Sequence, residues 1–232
     1  MKTAISALVL AIGTLSAPAF AGLSVNVGAI TVAPNDSSSS LNVVEQVAGL
    51  PAGSTAVSVN NNTQLGLTLD YAINKNWTVE LIAATPFSHD VEVKGSAIDG
   101  LDIGNTKHLP PTLVAQYHFD LGDSKFDPFV GVGLNYTKFF DSSASGTLKS
   151  TLQALKVTTS ADDVDLKLDD SFGLALQAGV NYQINSNWGA HLMVSKMDID
   201  TTGEVKVNGN TIQKVEVQID PLVVMVGVRW TM

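Results

Sequence analysis

The sequence predicts an all-β fold, an eight-stranded antiparallel up-and-down transmembrane β-barrel. Three observations lead there. Apolar and small polar residues alternate with period two through eight runs. Short turns alternate with long loops between those runs, and aromatic residues collect beside the short turns. Such alternation gives each run one face for an apolar medium and another for different surroundings.

Composition sets the frame. The chain has 232 residues, no cysteine and a formal net charge of −9. It opens MKTAISALVLAIGTLSAPAFA, with Lys2 ahead of an apolar stretch over 4–15 and a small-x-small ending at Ala19-Phe20-Ala21. This reads as a secretory signal peptide over 1–21, leaving a barrel domain over 22–232. Charged residues are 15% of the chain, well below the roughly 25% of soluble domains. No later segment has the ~18 unbroken apolar residues of a membrane helix. An exported, charge-poor chain of this kind is either a secreted soluble β protein or a barrel whose membrane signal is spread over many strands. The acidic balance argues against nucleic acid as a partner. Lack of cysteine excludes disulfide scaffolds and Cys-based zinc sites.

The eight runs follow in order. The first, 23–34, is joined by the long loop 35–63 to the second, 64–73; the turn 74–76 leads to the third, 77–94. The loop 95–108 precedes the fourth, 109–119, and the turn 120–125 leads to the fifth, 126–141. The loop 142–170 precedes the sixth, 171–184; the turn 185–187 leads to the seventh, 188–207, and 208–213 joins the eighth, 214–230. Asn, Asp and Gly supply the turn chemistry. In the third long loop SGTLKSTLQALKV favours a short helix, and ADDVDLKLDD reads as a solvated loop. Short turns on one rim and long loops on the other is the asymmetry of outer-membrane barrels, with periplasmic turns and extracellular loops.

The sixth run orients the wall. Phe172, Leu174, Leu176, Ala178, Val180 and Tyr182 share one parity; Gly173, Ala175, Gln177, Gly179 and Asn181 share the other. A soluble lipocalin-like barrel would carry charge opposite its apolar face. Here the opposite face is small and mostly neutral, which suits a crowded eight-strand interior. The apolar parity therefore faces lipid. On that parity, beside the short turns or the end of the last run, stand Tyr71, Trp77, Tyr117, Phe126, Tyr182, Trp188 and Trp230. They form an expected aromatic girdle at the periplasmic interface, where a ring sits half in water and half in hydrocarbon.

The inward parity changes character with height. Near the short turns it carries Asp70, Glu80, Gln116, His118, His191 and Arg229, with Asn26, Asn181 and Gln183 at similar depth. In a narrow lumen these groups must bond one another, so a packed polar plug is expected, with Arg229 bridging Asp70 or Glu80. Higher up, the same parity carries Ile30, Val32, Phe139, Met193, Met197, Ile199, Val217, Ile219, Val223 and Met225, while outward positions become polar. This predicts a hydrophobic lumen above the outer leaflet, unless a bulge near Asp220 and Pro221 swaps the faces. Pro86, inside the third run, leaves a neighbour's carbonyl without its ladder donor and marks a candidate lateral gate.

The stretches NNTQLGLTLDY, VELIAATPFSHDV, LPPTLVAQYHF, FVGVGLNYTKFFD, LDDSFGLALQAGVNY, MDIDTT and IDPLVVMVGV occur in this order through most of the chain. Together they resemble the outer membrane protein W family. The resemblance implies an eight-stranded outer-membrane barrel passing small hydrophobic molecules, with an apolar funnel open to the outside, a blocked base and lateral release beside a wall proline; Pro86 in ATPF is the matching position. The implied partners are outer-membrane lipid and lipopolysaccharide, small hydrophobic solutes, and the barrel-assembly machinery. That machinery reads a terminal aromatic in such barrels; this chain departs from the pattern by ending VRWTM, with Trp230 two places early. Alternatives are a structural or receptor barrel that meets phage, toxin or host through its loops, and a narrow ion channel. No cofactor or metal is expected, and no nucleophile-elbow spacing marks an enzyme.

Overall fold

The structure is a computed structural model that describes residues 22–232; the expected signal peptide lies outside them. In chain order the elements are β1 (Leu23–Ala33), β2 (Ser37–Ser38), α1 (Asn42–Ala48), β3 (Ala56–Val59), β4 (Asn62–Ala72), β5 (Trp77–Ala84), β6 (Phe87–Lys94), β7 (Asp102–Leu109) and β8 (Thr112–His118). Then come β9 (Phe126–Ala144), α2 (Gly146–Ala154), β10 (Val164–Leu168), β11 (Ser171–Gln183), β12 (Trp188–Met197), β13 (Asp200–Val207), β14 (Asn210–Gln218) and β15 (Leu222–Thr231).

Eight of these close the transmembrane barrel in the order β1-β4-β5-β8-β9-β11-β12-β15, with β15 returning to β1. Every neighbouring pair is antiparallel. Closure leaves no free edge, so the wall's backbone groups can be paired inside hydrocarbon. Burial follows the parity read from the sequence: Leu176 is 63% exposed while its neighbour Gln177 is 5% exposed. Leu65, Leu113, Val132, Leu134, Phe172, Leu174, Val226 and Val228 continue the outward apolar belt.

The two near-repeated phrases YAINKNW and YQINSNW fold alike. Asn74 Oδ1 accepts from the Asn76 and Trp77 amides at 2.9 and 3.0 Å; Asn185 Oδ1 accepts from the Asn187 and Trp188 amides at 3.0 and 2.9 Å. Each side chain stands in for a backbone acceptor and closes the turn locally.

Above the barrel the chain builds a second storey. β9 runs on upward and pairs with β7, which continues through β6 to β3. A second sheet, β10-β13-β14-β2, stands apart from it in the pairing. The structure departs from four expectations. The third, seventh and eighth runs each divide, into β5 and β6, β12 and β13, and β14 and β15. The breaks fall at Thr85 and Pro86, at Asp198 and Ile199, and at Ile219 to Pro221, where Asp220 takes a φ of 36°. Leu109 ends β7 instead of opening the fourth barrel strand; Pro110 and Pro111 separate the two. The long loops are not irregular: they hold β2, α1, β3 and β7, and β10 lies in the ADDVDLKLDD stretch with Val164 and Leu166 buried. The connection 208–213 is a tight turn of Asn208 and Gly209, with Val207 paired to Asn210. Both turn residues have positive φ, 49° and 80°, as primed hairpin turns require.

No face swap occurs at the breaks. His191, Met193, Met197, Ile199, Thr201 and Val205 are all buried, so odd positions stay inward from β12 into β13. Val215, Val217, Ile219, Val223 and Met225 do the same from β14 into β15. The helix expected in SGTLKSTLQALKV forms as α2, where Ser145 Oγ accepts from the Leu148 amide at 2.9 Å.

Candidate functional site

The aromatic side chains next to the short turns stand on the outer face. Trp77 meets Tyr117 edge-on at 5.3 Å, Tyr117 meets Phe119 at 5.3 Å, and Phe126 lies 5.0 Å from Tyr182. Trp188 and Trp230 are directly paired in register, and Tyr71 is 52% exposed.

Inside this ring the lumen is filled. Arg229 pairs with Asp70 and not with Glu80. Asn26 Nδ2 donates to Thr68 Oγ1 at 2.6 Å and to Asp70 Oδ2 at 2.9 Å, and its Oδ1 accepts from Arg229 Nη1 at 3.2 Å. On the other side Gln177 Nε2 donates to Glu80 Oε2 at 2.6 Å, and Gln116 Nε2 donates to Gln177 Oε1 at 2.9 Å. His118 Nε2 lies 3.2 Å from Gln116 Oε1, and its Nδ1 lies 2.8 and 3.0 Å from the Asp127 oxygens. Asn181 joins Asp127 at 3.0 Å to His191 at 2.8 Å. Phe129 fills the space between, with its ring 5.9 Å from His191 and 5.3 Å from His118. Gly179 makes room for it, since a Cβ there would lie 2.3 Å from Phe129 Cζ. Gln183 is exposed and lies outside this network.

Above the network comes an apolar layer of Ile30, Met193, Met197, Val223 and Met225, each no more than 2% exposed. Met197 Sδ sits 3.8 Å from Thr112 Oγ1 and 3.9 Å from Asn135 Nδ2. These five residues do not border open space; they floor a chamber above. That chamber is a narrow cavity of about 60 Å³ between the two upper sheets, lined by Val32, Phe139, Ile199, Val217 and Ile219 among others. On the same scale a single water needs roughly 10–15 Å³. A second apolar cavity of about 50 Å³ lies beneath α1 and α2. Leu41, Ile103, Val205 and Gln213 border both. Gln213 ties α1 to β14, accepting from the Val43 amide at 2.8 Å and donating to Asn42 Oδ1 at 3.0 Å.

The ladder is interrupted around Pro86. Thr85 N donates to Leu65 O at 3.0 Å, and Asn60, in the link between β3 and β4, donates from its amide to Asp90 O at 3.4 Å. Toward β8 the ladder stops at the Ile82–Thr112 pair and resumes only at Phe87–His108. Three prolines, Pro86, Pro110 and Pro111, stand in that gap without amide donors. The Pro110 carbonyl is taken instead by Thr112 Oγ1 at 3.0 Å and Asn135 Nδ2 at 3.3 Å. Pro86 itself is exposed and does not line the chamber; buried Phe87 closes the wall behind it, stacked on His108 at 5.2 Å.

Sequence reading missed several participants. Thr68, Asp127, Gln177 and Phe129 belong to the sealed base, and His89 and His108 line the chamber. The signal for Gln177 was its inward parity in the sixth run. For Asp127 the signal was its place beside Phe126, one step off the lipid-facing parity.

Closed strands, an outward apolar belt edged by aromatics and a polar-filled base define an outer-membrane β-barrel protein. The chain belongs to the OmpW family, whose model matches residues 21–232. It is 42% identical over 233 residues to outer membrane protein W of Vibrio cholerae serotype O1 (strain ATCC 39315 / El Tor Inaba N16961), covering 98% of each chain. It is 45% identical over 168 residues to outer membrane protein W of Escherichia coli K12, 72% of each. The crystal structure of outer membrane protein OprG from Pseudomonas aeruginosa superimposes with a TM-score of 0.75 at 37% identity, covering 90% of this chain and 95% of that one. The protein is thus a barrel of the Gram-negative outer membrane.

Proposed function

We propose that this barrel takes up small hydrophobic molecules passively, from an apolar extracellular chamber and out sideways through the wall near Pro86. The observation that carries this reading is the apolar cavity standing, across one packed apolar layer, above a base of bonded polar side chains. A molecule shedding water at the chamber gains free energy in proportion to the apolar surface it hides. The axial way down would require breaking the Arg229–Asp70 pair or the Glu80–Gln177–Gln116 chain. The sideways way requires Phe87 to move where ladder bonds are already missing. The outward belt takes outer-membrane lipid and lipopolysaccharide as its surroundings, so a released solute enters hydrocarbon at once. No step calls for a catalytic residue. The ion-channel alternative loses support because the same network occupies the axis.

The test is uptake of a hydrophobic fluorophore by vesicles containing the purified barrel, parent against Pro86→Ala. An added amide offers one ladder bond, worth about 0.5–1.5 kcal/mol, and should slow uptake roughly two- to tenfold with the barrel still folded. Uptake no faster than in empty vesicles would remove the transport reading. Equal rates for parent and variant would remove the gate alone.

A further inference from the structure

The polar side chains that line the chamber are Thr106, Thr201, Gln213 and a pair of imidazoles; the first three are hydrogen-bonded to other protein groups. His89 on β6 and His108 on β7 both line it and are 2% and 5% exposed. Their rings stack at 4.9 Å, with Phe87 5.2 Å and Phe139 5.6 Å from His108. Outward residues of these strands, Asp90, Glu92 and Lys107, are polar, so this level lies above the membrane belt.

The hydrogen-bond geometry assigns the tautomer of His89. Its Nδ1 lies 2.6 Å from the Asn60 backbone carbonyl. A carbonyl only accepts, so Nδ1 carries the hydrogen. A neutral imidazole has a single ring N–H, which leaves Nε2 as a bare acceptor. Burial keeps both rings neutral: it lowers the His89 pKa and, with His89 alongside, lowers that of His108 to about 3. Both His89 Nε2 and His108 Nδ1 are buried without a partner. A buried acceptor left unpaired is costly, and native structures rarely keep one without a use.

We infer that the chamber selects apolar molecules bearing a single hydroxyl, an alcohol or a phenol, whose O–H donates to His89 Nε2 while the carbon skeleton lies against Phe139, Val217 and Ile219. This narrows the solute class of the uptake reading and rests on it. The apolar walls accept any hydrocarbon of suitable size. The imidazole adds one directional bond, which a pure hydrocarbon leaves unmade and thereby strands.

The test uses the full barrel in nanodiscs with 15N-labelled histidine and two probes, 1-naphthol and naphthalene, each corrected for its own partition into protein-free nanodiscs. The expected result is that both bind, with 1-naphthol favoured by about tenfold, the size of one net hydrogen bond. The His89 Nε2 resonance should move toward the hydrogen-bonded range with 1-naphthol and stay in place with naphthalene. His89→Phe should bring the two probes within about twofold of each other. Equal affinity of the parent for both probes, with an unmoved resonance, would overturn the inference and leave the uptake reading standing. Binding of neither probe would overturn both. If His89→Phe fails to fold, the resonance of the parent decides alone.

Discussion

Replacing Gln177 by leucine should destabilise the barrel, although leucine is the more apolar residue. Gln177 holds Gln116 Nε2 at 2.9 Å and Glu80 Oε2 at 2.6 Å. Gln177→Leu strands both groups in a lumen where Glu80 is 0% and Gln116 1% exposed. Each stranded group costs about 1–3 kcal/mol, together about 4 at mid-range. Burying leucine returns about 1.5–3 kcal/mol, leaving a net loss of about 2 kcal/mol. The neighbour supplies the control: Ala178 faces outward, so Ala178→Leu should be neutral to within about 0.5 kcal/mol. The assay is urea unfolding from phosphatidylcholine vesicles, followed by tryptophan fluorescence and by gel mobility of the unheated protein. An inside-out barrel gives opposite signs, because a lipid-facing glutamine is improved by leucine. A Gln177→Leu chain more stable than its parent would refute the orientation on which everything above the membrane also depends.

Three further outcomes are expected. Arg229→Leu leaves Asp70 buried without its cation and should cost about 3–5 kcal/mol in the same unfolding assay, with Asp70→Asn in the same chain recovering most of it. Gly179→Ala pushes a methyl into Phe129 and should cost about 1–3 kcal/mol, with the Phe129 ring resonances displaced in the spectrum. Glu204 bonds Lys214 at 2.7 Å and Lys206 at 3.1 Å, and these partners lower its pKa to about 2. A depressed carboxyl stabilises the folded hairpin above the unfolded value of about 4.3, and that support disappears as pH falls through the folded value. Amide exchange of β13 and β14, normalised to intrinsic rates, should therefore accelerate between about pH 4 and pH 2, and Glu204→Gln should abolish that dependence.

The membrane portion of the fold was legible because lipid imposes one rule on every position: odd and even residues of a strand cannot exchange places. Leu176 and Gln177 show it, as do the aromatic residues at the short turns. The second storey was harder to read. There both sheets enclose an apolar space while their outsides are wet, so a strand such as Val164–Leu168 looks like a solvated acidic loop unless Val164, Leu166 and Leu168 are read as alternating. Asn208 followed by Gly209 is a readable hairpin signal, masked because β14 begins at Asn210, in a polar stretch that continues the turn. The break at Asp198 leaves no trace in the periodicity, since parity passes through it unchanged, whereas Asp220 and Pro221 marked the place of the second break but not that the faces stay unswapped. Of the base, the sequence offered the depth and six members, Asp70, Glu80, Gln116, His118, His191 and Arg229, but not Thr68, Asp127, Gln177 or Phe129. It did not offer the partners, because Gln116, Gln177 and Glu80 come from three strands and meet only when the sheet closes.

The filled base also bears on how many copies a cell can carry. A porin is an open hole, and each added copy raises the leak of ions, nutrients and antibiotics alike. Here the stopper is made of side chains rooted in the wall itself, with Phe129 and the Arg229–Asp70 pair among them. Under the proposed uptake reading, abundance of such a protein is decoupled from the envelope's permeability to water-soluble traffic, so a bacterium can vary its dose widely without loosening the barrier in which it sits.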